Sequence, residues 1–130
     1  MTIRNINDLT GNAKPTLCAS FSLETNGSVP IANSIIVAPS SASKRILLLG
    51  WTITCFAGAS STTGDFRFTD GEDTGSNDLL KGMHMGTTPV VNSLSLSNPI
   101  VLTKGATLML QATESSGQFF ISGTAYYIEL

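Results

Sequence analysis

Residues 44–57, KRILLLGWTITCFA, form the longest apolar run of the chain and contain its only tryptophan. Because successive side chains of a β-strand point to opposite faces, odd and even positions are expected on different faces. The apolar odd positions are Leu47, Leu49, Trp51, Ile53 and Cys55. The even positions begin with apolar Ile46 and Leu48 and then become small or polar. We therefore predict a strand whose odd positions lie in the core. Ile46 and Leu48 need a second cover, which we expect from another subunit.

Further short stretches of the chain have an extended pattern, and most of them alternate apolar with polar residues. They are residues 16–24, 29–38, 65–70, 79–85, 90–103, 106–114 and 119–130. Residues 79–85 fit either a short strand or an irregular segment with a bulge at Gly82. Asn26-Gly27 is a strong hairpin-turn signal. With residues 44–57 these stretches make roughly eight strands, and no sustained helical period is present.

Roughly eight short strands predict an all-β antiparallel sandwich or barrel. Eight strands with Greek-key connections form a jelly roll. An immunoglobulin-like sandwich has a similar strand number, but the Cys…Trp…Cys spacing of antibody domains is missing. We therefore predict a jelly-roll β-sandwich over residues 16–130.

Residues 1–15 differ from the rest, because isolated apolar residues sit among polar ones. Ile3, Ile6 and Leu9 recur every three residues, and Pro15 closes the segment. This pattern fits a frayed terminus. It also fits an extended N-terminal arm whose three apolar residues anchor it on a neighbouring subunit, and the predicted domain division follows this second interpretation.

Charged residues make up only 12% of the chain, and the formal net charge is −2. This is about half the usual share of charge in a soluble domain, which favours a protein that hides much of its surface in an assembly. No basic tract is present, so nucleic acid is not an expected partner. No apolar run reaches the length of a membrane span, and the N-terminus lacks a secretory signal. Cys18 and Cys55 do not form a disulfide framework.

The residues for catalysis are missing from the sequence. His84 is the only histidine, so neither a Ser-His-Asp triad nor a zinc site has its usual partners. The acidic loop 70–78, DGEDTGSND, could hold calcium in an irregular site or be a solvated turn. It is not an EF-hand, because Lys81 stands where that loop requires a bidentate Glu. We predict that the protein is not an enzyme and has no cofactor, no metal site and no catalytic residue.

The last part of the chain, KGATLMLQATESSGQFFISGTAYYIEL, follows a strand and runs to the final residue. The stretch 94–130 resembles the closing strands of small jelly-roll virion proteins of tailed bacteriophages. The resemblance implies a capsid decoration (cement) protein on the head exterior, made in the host cytoplasm, or a receptor- or carbohydrate-binding fibre or tail module. For the decoration protein the expected partners are two further copies in a homotrimer and the major capsid protein. Apolar residues on the second strand face would line the trimer axis, and the candidates are Ile46, Leu48, Tyr126 and Ile128.

Overall fold

The computed structural model describes residues 15–26, 31–71, 78–115 and 117–130. These residues form eight β-strands. The strands are β1 (Leu17–Thr25), β2 (Ile31–Val37), β3 (Ile46–Ala57), β4 (Thr63–Asp70), β5 (Asp78–Met85), β6 (Val90–Val101), β7 (Leu108–Glu114) and β8 (Phe119–Glu129). Over these ranges no helix is long and apolar enough to cross a membrane.

The strands form two four-stranded sheets, and the pairs within them are antiparallel. The order is β1-β8-β3-β6 in the first sheet and β2-β7-β4-β5 in the second. Most consecutive strands therefore lie in opposite sheets, and only β4 and β5 form a hairpin within one sheet. This double Greek-key arrangement is a jelly roll, which confirms the predicted fold.

The core lies between the two sheets and is centred on Phe68 of β4. The Phe68 ring makes edge contacts with Phe21 and Phe66 at centroid distances of 5.9 and 6.4 Å. It lies 5.6 Å from Trp51 of β3. Phe66 and Phe68 thus point inward, and Trp51 is a core residue.

A bulge changes which positions of β3 face the core. The pairing of β3 with both neighbours shifts between Leu48 and Gly50, so that Leu49 is left out of the ladder. Before the bulge, Ile46 and Leu48 join the core, and after it Trp51 and the following odd positions do. The expectation that all odd positions lie in the core is therefore wrong for Leu47 and Leu49, which precede or form the bulge. An extra residue in one strand reverses the facing of every side chain beyond it.

The two sides of the sandwich differ. On one side β1 and β2, which belong to different sheets, lie against each other. On the other side β5 lies near β3, and the first half of β6, from Val90 to Ser95, is exposed. The first sheet consequently extends past the second along β6.

Candidate functional site

The structure describes four of the seven residues proposed as subunit contacts. Ile46, Leu48 and Ile128 are 0%, 0% and 1% exposed within the single chain. They cannot contact another subunit, so the prediction that these three residues form a subunit contact is wrong. The cause is the bulge in β3, which turns Ile46 and Leu48 inward. Tyr126 is half-buried and remains available, whereas the three arm residues, Ile3, Ile6 and Leu9, lie outside the described residues.

The start of β3 is nevertheless buried on both faces, as the sequence predicts. Leu47 pairs with Ile128 on the face opposite Leu48, and Leu47 is only 2% exposed. At this end of the sandwich, Arg45 and Leu130 exchange two backbone hydrogen bonds of 2.9 Å. The residues that bury the second face of this strand thus belong to the same chain and not to a neighbouring subunit.

The outer face of the first sheet carries small hydroxyl side chains across all four of its strands. The paired residues in two successive rows are Ser20, Thr124, Thr52 and Ser93, then Ser22, Ser122, Thr54 and Val91. Within the first row the hydroxyls of Thr52 and Ser93 are hydrogen-bonded at 3.1 Å. This uncharged face can approach another surface closely, because its side chains are short.

Two larger groups border the hydroxyl rows. At one end the rings of Phe56 and Phe120 stack with a centroid distance of 4.7 Å and an interplanar angle of 18°. Glu24 pairs with Phe120 and accepts a hydrogen bond from Gln118. At the other end lies Tyr126, paired with Cys18 and Gly50.

The outer face of the second sheet is different, because it carries charge and a depression of about 540 Å³. The depression is lined by Asp65, Phe66, Arg67, Lys81, Gly82, Met83, Gln111 and Thr113. Beside it, Asp78 accepts from Arg67 at 3.0 Å and from Lys81 at 2.8 Å. The hydrogen bond from Lys81, with the charges of both cations, lowers the pKa of the Asp78 carboxyl. The size and polar lining of this depression suit a small polar ligand, whereas a flat protein surface would leave it unfilled.

The strand β6 has more exposed apolar surface than any other in the first sheet. All residues from Val90 to Ser95 are exposed, including Val91 at 65% and Leu94 at 44%. Leu94 pairs with the core residue Trp51 and therefore points to the inner side of the sheet. Its exposure shows that the described part of the second sheet does not fully cover this side of β6. Only the later part of β6, with Leu96 and Ile100, packs against the core.

The groups considered for chemistry are dispersed. Within the described ranges no group of three or more His, Cys, Asp or Glu side chains is placed to hold a metal ion. His84 has its Nε2 3.1 Å from the carbonyl oxygen of Gly86. Asp70 accepts a hydrogen bond from Thr103, and most of the acidic loop lies outside the described residues.

The cysteines do not pair with each other. Both thiols are free, with Cys18 exposed and Cys55 buried. Burial raises the pKa of the Cys55 thiol, which keeps it protonated and unreactive.

No protein-family model and no curated protein matches the chain. Solved structures similar to it include one of the cyanophage Pam1 capsid asymmetric unit, with a TM-score of 0.50 and 10% identity, covering 88% of this chain and 85% of that one. The Tobacco streak virus coat protein has a TM-score of 0.49 and 8% identity, covering 87% and 85%. The infectious bursal disease virus Gt strain structure has a TM-score of 0.49 and 10% identity, covering 90% of this chain and 33% of that one. At such low identity the likeness to the cyanophage structure shows the fold alone, an eight-stranded jelly roll.

Proposed function

We propose that the protein is a structural component of a virus particle. One observation carries this proposal: the complete jelly roll, in the strand order β1-β8-β3-β6 and β2-β7-β4-β5, is similar over most of both chains to one from a cyanophage capsid. The low charge of the chain, 12%, supports it, because subunits of a shell bury much of their surface against one another.

We further propose that its place is the exterior of a tailed-phage head, where it decorates the shell as a homotrimer and binds the major capsid protein. The net charge of −2 suits an exterior surface better than one that faces packaged DNA. The segment 1–15 is the proposed anchor on the shell or on a neighbouring subunit.

Binding to capsids tests this proposal. Purified protein is mixed with heads that lack it, and the heads are recovered by sedimentation. We expect saturable binding of the full chain and loss of binding on deletion of residues 1–15, with the circular dichroism and melting temperature of the deleted form unchanged. A full chain that never sediments with the heads of its own virus contradicts decoration of the shell.

The depression on the second sheet favours a second candidate, a receptor- or carbohydrate-binding fibre or tail module. Polar and charged side chains, Asp65, Arg67 and Gln111, line the depression together with apolar Met83, and such a mixture suits a glycan. Binding on a glycan array that is lost in Asp65→Ala would favour this function over decoration.

A further inference from the structure

The free edge of β6 is the least protected part of the described surface. Among the described residues only β3 pairs with this strand, and every residue of its first half, from Val90 to Ser95, is exposed. A free strand edge presents unpaired backbone N–H and C=O groups to any strand that approaches. Val91 at 65% and Leu94 at 44% exposure add apolar surface on its two faces.

Charge does not protect this edge. No charged residue occurs from position 85 to position 103, which includes the whole of β6. Soluble proteins usually protect an exposed edge with lysine or another charge, or cover it with a further element. Pro99 and the irregular pairing with β3 between Ser95 and Ile100 interrupt the strand, but both lie in its second half, which packs near the core.

The other strands at the sheet edges are better protected. β5 carries Asp78 and Lys81, which form an ion pair. β1 carries Glu24, and β2, although uncharged, lies against β1 along the closed side of the sandwich. Among the edge strands of the described chain, β6 alone combines a lack of charged residues with six successive exposed residues, from Val90 to Ser95.

We propose that β6 is the contact between copies of this chain, with the first half of the strand placed toward the common axis of the trimer. This inference deepens the proposed function, on whose homotrimer it rests. A second copy suits the surface, because it brings the same uncharged stretch and so no like charges meet. The twelve residues of β6 extend about 40 Å, long enough to contribute to a contact of more than about 1,000 Å².

This contact replaces the one expected from sequence. Ile46, Leu48 and Ile128 are buried within the single chain. The residues nearest the neighbouring copy are instead Val91 and Leu94.

Charge substitution tests the proposal. Val91→Lys places a charge on the proposed contact, and the exposure of Val91 lets the lysine reach solvent in the isolated chain. Ile35→Lys is the matched control, because Ile35 is another β-branched residue on an edge strand and is 63% exposed. Native mass spectrometry and light scattering at micromolar concentration give the number of copies, and circular dichroism checks that each variant is folded.

We expect three copies for the wild type and for Ile35→Lys, and one copy for Val91→Lys. Val91→Glu, which introduces the opposite charge, provides a second variant should the lysine form not fold. Three copies in both Val91 variants would overturn the β6 contact and leave the trimer standing. A wild-type monomer would overturn the contact and the trimer together, while a place on the virus particle is tested independently by the binding to heads.

Discussion

The indole Nε1 of Trp51 donates a 3.0 Å hydrogen bond to Oδ1 of Asn92, and this bond joins the core to the exposed half of β6. Trp51 is only 3% exposed, so its N–H has little access to water. Asn92 lies on β6 beside Ile53 and faces the same side as Trp51. This side-chain hydrogen bond thereby links β6, the most exposed strand of the first sheet, to β3, the most buried one.

We expect Asn92→Ala to lower the free energy of unfolding by about 1–3 kcal/mol, because it leaves a buried donor without its partner. Urea denaturation followed by tryptophan fluorescence measures the change. Asn33→Ala is the control, since Asn33 accepts an exposed hydrogen bond from Gln111, and its effect should stay within about 0.5 kcal/mol. Equal losses in the two variants would contradict a structural role for the Trp51–Asn92 bond.

The close approach of β6 to β3 predicts an unusual response at Gly50. In an ordinary strand, alanine in place of glycine stabilises by about 0.5–1 kcal/mol. At Gly50 a Cβ atom would overlap the carbonyl oxygen of Leu94 and lie 3.1 Å from Cα of Ser95, both on β6. We therefore expect Gly50→Ala to destabilise by about 1–3 kcal/mol, measured by urea denaturation beside the exposed control Ser95→Ala. A stabilised Gly50→Ala would show that β6 does not approach β3 so closely.

The aromatic cluster around Phe68 should hold the sheets together. Phe68 is fully buried, so Phe68→Ala is expected to cost about 3–5 kcal/mol of unfolding free energy. Phe120→Ala removes a ring of the same size from the half-buried stack on the outer face and should cost clearly less. Thermal melts of the two variants compare them directly, and a greater loss for Phe120→Ala would place the main core elsewhere.

The ion pairs of Asp78 with Arg67 and Lys81 on the second sheet should make the stability depend on pH. Because Lys81 and Arg67 lower the pKa of Asp78 below its ordinary value of 3.8, the folded state favours the carboxylate. This stabilisation is present above the unfolded pKa and is lost as the pH falls through the folded one. The melting temperature of Asp78→Asn should lie slightly below that of the wild type at neutral pH, and the difference should vanish in acid. It should also shrink at high salt, because the pair is exposed; a difference that grows in acid would contradict the pairing.

The sequence predicts the sheets better than it predicts the surfaces. Alternation identifies the strands, and in β8 the alternating residues Phe119, Ile121 and Ala125 lie in the core. The facing of β3 could not be predicted, because a bulge depends on pairing with two neighbours and leaves no distinct signal in a run of leucines. The exposure of β6 was missed for a similar reason. Its alternation of Leu94 and Leu96 with serines is typical of a half-buried strand, and only the offset of the two sheets leaves its inner face uncovered.

The position of the chain in an intact particle tests the proposed function most directly. Cryo-electron microscopy of the virus that encodes it, together with mass spectrometry of the purified particles, would locate it and count its copies. We expect many copies of the jelly roll on the exterior of the head, in groups of three with β6 turned toward the group axis. Purified particles that contain no copy of this chain would contradict a structural role in the virion.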